Sequence, residues 1–219
     1  MFKSSNKINK IPIEVVLFLL SIILLTTSCS QKNNLQLQNG DLLFTGKELQ
    51  IEKSDFENSI NSVTQTDKAT NYTHVGIVEI DQNGIWVIHA SPKKGVFRDS
   101  LETFTKEEQH VFVYRLMPEY KQFIPQALIK LKDYLGQFYD FSFLLNDSSQ
   151  YCSGLIYNLF QNEEIFQLNP MTFKDSSGNI LHYWIDYYKN LNMEIPENIP
   201  GCNPNGMAKS DAIYFVGKL

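Results

Sequence analysis

The stretch Tyr72-Thr73-His74-Val75-Gly76-Ile77-Val78-Glu79-Ile80 runs through Asp81-Gln82-Asn83-Gly84 into Ile85-Trp86-Val87-Ile88-His89-Ala90, and its reading decides the fold. Two β-branched apolar runs flank a cluster of turn formers, the pattern of a β-hairpin. If Asp81 to Gly84 forms the loop, Ile80 faces Ile85 and Gly76 faces His89. Side chains alternate across a strand, so His74 shares a face with Gly76 and is a diagonal neighbour of His89, with Cα atoms roughly 7–8 Å apart. A loop one residue longer or shorter would put the two histidines on opposite faces. The shared face is therefore an expectation that the register decides.

Outward from the hairpin, Asn39-Gly40-Asp41 is a turn signal before a short strand, Leu42-Leu43-Phe44. His110 to Leu116 and Ala212 to Val216 read as further strands, with short elements at Gly95-Val96-Phe97 and Leu101 to Phe104. Apolar residues at Ile124, Ala127, Leu128, Leu131, Tyr134 and Leu135 have helical spacing, with Gly136 as the stop. Tyr151 to Phe160 reads as a second, largely buried helix. Residues 54–66 suit a helix or a loop, and 161–205 are irregular apart from a short helix around Leu181 to Tyr188. Strands in the middle flanked by helices indicate an α+β domain.

Residues 1–28 stand apart. Lys3, Lys7 and Lys10 precede the apolar run Val15 to Leu25, which is too short to cross a bilayer comfortably but suits a signal-peptide core. Leu25-Thr26-Thr27-Ser28-Cys29 resembles a lipobox, although Thr26 stands where Leu is usual, and an ordinary secretory signal or uncleaved anchor is the alternative. Acyl chains on Cys29 would anchor the protein to a membrane outside the cytoplasm, in the bacterial envelope. The expected organisation is a signal peptide (1–28), a polar tether (29–38) and one domain (39–219). Cleavage before Cys29 removes three of 19 basic and one of 24 acidic residues, leaving 16 against 23 and a formal charge of −7. Such a balance argues against nucleic acid as a partner, because phosphate binding needs a basic face.

Of the three cysteines, Cys29 is the lipidation candidate, and Cys152 and Cys202 remain. They could form a disulfide in an exported protein. No CxxC or HxxH spacing occurs, so no metal site is expected, and no cofactor. Cys152 stands at the start of an apolar helix, where the dipole and free amides favour a thiolate and can receive an oxyanion; an inert buried cysteine is the other reading. Among the four histidines, His110 follows charged residues and is expected to be exposed, while His182 reads as a packing residue. His74 and His89 remain as base and orienting group for Cys152, in the manner of a triad.

These residues resemble a family. NGDLLF (39–44), YTHVGIVEI (72–80), VIHA (87–90), FVYRL (112–116), GQFYDFSF (136–143) and YCSGLIYNLF (151–160) occur in the order found in the YiiX/YebB-like permuted papain amidases. These are relatives of NlpC-type peptidases and lecithin:retinol acyltransferase-like enzymes. The resemblance covers roughly residues 39–217 and implies a circularly permuted papain-like fold in which the His strand precedes the Cys helix. By position it implies Cys152 as nucleophile, His74 as base and His89 as third polar residue, with Tyr139 and Tyr151 near the substrate. Gly154 replaces the Glu of many relatives, so packing or ligand approach differs there; the 161–205 segment has no counterpart in the family, and its role, a lid or a wall, is left open by the sequence. The implied activity is amide hydrolysis by a cysteine amidase or peptidase, on cell-wall peptides by analogy. Lipid acyl transfer or N-acyl amide hydrolysis is the alternative, favoured by an apolar cleft at Cys152, and an inactive binding lipoprotein is the third reading.

Overall fold

The hairpin forms in the expected register. In the computed structural model, which describes residues 35–46, 55–64, 70–108 and 110–219, the strands are β1 (Leu42–Thr45), β2 (His74–Asp81), β3 (Gly84–Ser91), β4 (Gly95–Ser100), β5 (Val111–Leu116) and β6 (Ile213–Lys218). Ile80 pairs with Ile85 and Ile77 with Ile88, which puts Gly76 opposite His89. The signal segment, Cys29 and the tether as far as residue 34 lie outside the described residues.

The six strands form one sheet in the order β6-β5-β1-β2-β3-β4, and every neighbouring pair is antiparallel. Pleat alternation gives the sheet two apolar faces. Leu42, Phe44, Val75, Ile77, Ile88 and Ala90 point to one face and pack under α3 (Ile124–Tyr134) and α4 (Cys152–Phe160), with Leu131, Leu155 and Ile156 in the same cluster. Leu43, Val78, Val87 and Val113 point to the other and meet Phe104 of α2 (Leu101–Glu107). Burial on both faces explains why the strand sequences are runs of apolar residues rather than strict alternations.

Most elements form where the sequence places them. The 120–136 helix begins as a 3-10 turn (Pro118–Phe123) before α3, and Gly136 follows its end with φ +85°, the left-handed conformation that stops a helix. Residues 55–64 form α1 (Asp55–Thr64), and Leu101 opens a full helix, α2, capped by the Ser100 hydroxyl accepting from Thr103 N–H. The 161–205 segment carries α5 (His182–Asn190) and leads to α6 (Pro204–Met207). Phe173, Trp184 and Tyr188 of this segment bury against Ile60 and Val63 of α1, a third apolar cluster apart from the sheet. Two histidines differ from expectation. His182 is exposed at the start of α5 and pairs with Asp186 one turn on, and His110 is half-buried where the chain enters β5.

Candidate active site

Cys152 is the first residue of α4, and the loop before it is fixed by a buried carboxylate. Asp140 accepts from the Ser142 N–H, Ser142 Oγ, Asn146 Nδ2 and Ser149 Oγ, while its own N–H donates to Gln150 O at 3.0 Å. This knot sets where the chain turns into the helix. The N-cap residue, Tyr151, supplies no side-chain hydrogen bond, so the first amides of α4 are left uncapped. Uncapped amides at a helix N-terminus are donors for an anion.

The Cys152 thiol meets the sheet at β2. The β2–β3 ladder ends at Ile77↔Ile88, so residues 74–76 lie beyond its last paired residues. Cys152 Sγ lies 4.0 Å from Thr73 O and feels the Val75 N–H, so it sits against the backbone that brackets His74. Burial pushes the thiol up to about 11, against the opposing pull of the Ser153, Val75 and Cys152 amides and the Ser153 hydroxyl. Without substrate the sulfur is therefore a protonated thiol at neutral pH.

His74 and His89 do share a face. His74 Nε2 lies 2.7 Å from His89 Nδ1, with ring planes 74° apart. Their rings project toward Phe104, on the face opposite the α4 core. The thiol and the His74 ring thus approach the open end of β2 from different sides, and no hydrogen bond joins them in this conformation. Burial lowers the pKa of His74, with Glu108 pulling the other way. His89 falls to about 2, through burial and then the repulsion of His74 and Lys94. Both imidazoles are neutral at pH 7, as a base that accepts a thiol proton must be.

Beside the thiol is a cavity of about 140 Å³, with Tyr139, Phe143, Tyr151, Met171, Phe173 and Trp184 among its walls. Among the described residues, none that lines it is charged. The 161–205 segment supplies a wall through Asn169 to Phe173, Trp184 and Gly201 to Pro204, and Ile60 and Val63 of α1 line it as well. Tyr139 and Tyr151 both line the cavity. Gly154 does not: a Cβ there would lie 2.6 Å from the Tyr151 ring, so its missing side chain makes room for that ring, and packing rather than ligand approach accounts for the glycine. Phe143 holds a left-handed φ of 58° between the Tyr151 and Trp184 rings, the kind of local strain that surrounding packing sustains.

Thr64, Asn169, Pro170 and Asn203 also border a second, polar cleft of about 650 Å³, where exposed Glu164, Lys209 and Asp211 stand. Cys202 lines the apolar cavity as a free thiol, as is Cys152; its Sγ lies 3.4 Å from Tyr151 Oη, and its carbonyl accepts from Ser153 Oγ at 3.1 Å. Reasoning from the sequence missed Asp140, Thr73 and Trp184 as parts of the site. The run of Ser and Asn residues from 142 to 149 signals a side-chain-built loop around Asp140, but nothing local marks the other two.

Residues 36–217 match the family described as permuted papain-like amidase enzyme, YaeF/YiiX, C92 family. The uncharacterized protein YiiX of Escherichia coli K12 is 32% identical over 133 residues, 58% of this chain and 59% of that protein, so the alignment spans about three fifths of the relative. The crystal structure of the metalloprotein yiiX from Escherichia coli O157:H7 superposes with a TM-score of 0.66 at 21% identity, covering 84% of this chain and 98% of that one. That likeness shows the fold: the antiparallel sheet, with its His strand ahead of the Cys helix, is the permuted papain-like arrangement. The chain belongs to the permuted papain-like amidase family, a family of cysteine hydrolases.

Proposed function

We propose that the protein hydrolyses an amide whose acyl portion carries a compact apolar group, through an acyl-enzyme on Cys152. His74 takes the thiol proton, His89 orients His74, and the N-terminal amides of α4 with the Val75 N–H receive the carbonyl oxygen as it becomes an oxyanion. Catalytic hydrogen bonds often form only once substrate binds, so the lack of a thiol–imidazole hydrogen bond in this conformation does not oppose this assignment. The carrying observation is the uncharged, largely apolar cavity beside Cys152. Its volume of about 140 Å³ is close to the roughly 150 Å³ of apolar void that holds a benzene ring. A short acyl chain or single large side chain fits it, whereas a long lipid chain does not.

The adjoining polar cleft suits the charged remainder of such a substrate. A carboxylate-rich cell-wall peptide would find no cation among the described residues of the cavity, so the cavity favours an N-acyl amide or a peptide with an apolar residue on its acyl side. A panel of 4-nitroanilides of acetic, hexanoic, phenylacetic and palmitic acids tests this, with cell-wall peptides as a further arm. Hexanoyl and phenylacetyl substrates should exceed the acetyl one in kcat/KM by about tenfold or more, the scale of a few methylenes in an apolar pocket. Preferred cleavage of the palmitoyl substrate or the cell-wall peptide would refute the compact-group assignment.

The sequence of residues 1–29 supports a lipid-anchored enzyme of the bacterial envelope, outside the cytoplasm. Metabolic labelling with an alkynyl fatty acid should mark the full chain, and Cys29→Ala should remove the label; label retained by that variant would contradict the anchor.

A further inference from the structure

His89 Nε2 is buried and makes no hydrogen bond among the described residues, yet Asp99 Oδ2 lies 3.6 Å from it. The strand registers explain the approach. Across β3–β4, His89 pairs with Phe97 and Val87 with Asp99, so Asp99 is a diagonal neighbour of His89 on the same face. This is the relation of His74 to His89 across β2–β3. Three adjacent strands thus carry a polar diagonal, His74, His89 and Asp99, running away from Cys152. Asp99 is itself largely shielded, with a side chain 12% exposed, and Lys94 Nζ lies 3.5 Å from each of its oxygens.

We infer that Asp99 is a positioning residue: it sets the tautomers of both imidazoles so that His74 presents an unprotonated Nδ1 to the Cys152 thiol. The inference rests on His74 being the base. A neutral imidazole carries one N–H. On His89 that hydrogen belongs on Nε2, because the opposite tautomer would aim a lone pair at the Asp99 carboxylate. Nδ1 of His89 is then an acceptor. At 2.7 Å its contact with His74 needs a donor, which is His74 Nε2–H. The remaining nitrogen of His74, Nδ1, keeps its lone pair. When the thiol attacks, its proton moves to His74 Nδ1, the sulfur bonds to the substrate carbon, and no other proton has to shift. The imidazolium so formed lies one histidine away from the carboxylate. A histidine alone is a weak third member of a triad, and Asp99 supplies the charge that His89 lacks.

The test reads tautomer as well as rate, in the full chain. Nitrogen-15 NMR of histidine-labelled Cys152→Ala should show Nε2–H on both His74 and His89; Nδ1–H on either overturns the inference, and this needs no change at Asp99. In Asp99→Asn, Lys94 holds the amide oxygen and turns the NH2 toward His89 Nε2, which forces Nδ1–H on both rings. Turnover should fall about 100-fold, mainly in kcat, a smaller loss than the roughly 10⁴-fold of an aspartate in direct contact with the base. Asp99→Ala, which imposes no tautomer, should lose less than Asp99→Asn. Unchanged kcat or an unchanged His74 tautomer in Asp99→Asn refutes the inference. Because Glu108, Lys94 and His74 also face this group, the rates are compared across pH 5–9 and not at one pH. Turnover untouched by His74→Ala would instead overturn the assignment of the base, a result distinct from a failure at Asp99.

Discussion

Cys152→Ala is expected to abolish turnover while leaving the fold intact. Removing the nucleophile of a triad costs roughly 10⁴- to 10⁶-fold in kcat, because the remaining members act only through it. The structural cost is small, on the order of 1 kcal/mol for one buried group the size of a methylene. The thiol's donor contact, to Thr73 O, is long at 4.0 Å, so little hydrogen bonding is lost. Steady-state kinetics beside a denaturant melt separates the two effects; retained activity sinks the assignment. His74→Ala gives a partial version of the same result with a pH signature. A thiol held near 11 is ionised to roughly one part in 10⁴ at pH 7. Without its base the variant should gain about tenfold in rate per pH unit, because each unit multiplies the thiolate by ten until the pH approaches 11. A flat profile in His74→Ala would mean that another group takes the proton.

The largest stability effect is expected at Asp41→Ala. Asp41 is fully buried at the start of β1, where its carboxylate takes Arg115 Nε at 2.6 Å and Arg115 Nη2 and Gln38 N at 2.8 Å. Arg115 is also nearly buried, its side chain 11% exposed. A bidentate pair in this setting matters less for its own strength than for what its loss exposes. Removing the carboxylate leaves the guanidinium with the Gln36 carbonyl, 3.0 Å from Nη2, but without its counter-ion, and leaves one backbone amide without its acceptor. The expected loss is about 3–5 kcal/mol, a large share of the roughly 5–15 kcal/mol typical of a domain. The urea midpoint should fall with the slope unchanged. Asp41→Asn, which keeps acceptor oxygen but not charge, should fall between the variant and wild type. A change of under about 1 kcal/mol in Asp41→Ala would mean that Arg115 finds solvent or another acceptor.

Asp41 shows how sequence and structure divide the argument. In sequence it is the last residue of an Asn-Gly-Asp turn, and its neighbours are enough to end the turn and begin a strand. That it accepts Arg115 from β5, 74 residues on, depends on β1 lying between β2 and β5. Strand order of this kind is not written in any local pattern.

The His74–His89 pair could be read from local sequence, because a hairpin converts loop length into register and register into a shared face. The start of α4 at Cys152 and the stop at Gly136 were equally local, one an apolar helix following a polar loop, the other a glycine where the chain needs positive φ. What tertiary structure alone decided is how these pieces meet. It brought the Cys152 sulfur to the backbone on either side of His74, and it set Asp99 on the diagonal behind His89. It also folded Phe173 and Trp184 from a stretch with no strong periodicity into the cavity wall, where packing against α1 outweighs local propensity. The pair in the opening hairpin was fixed by spacing along one chain segment. Its chemistry was fixed by contacts between segments far apart in sequence, because distances and burial exist only once those segments pack.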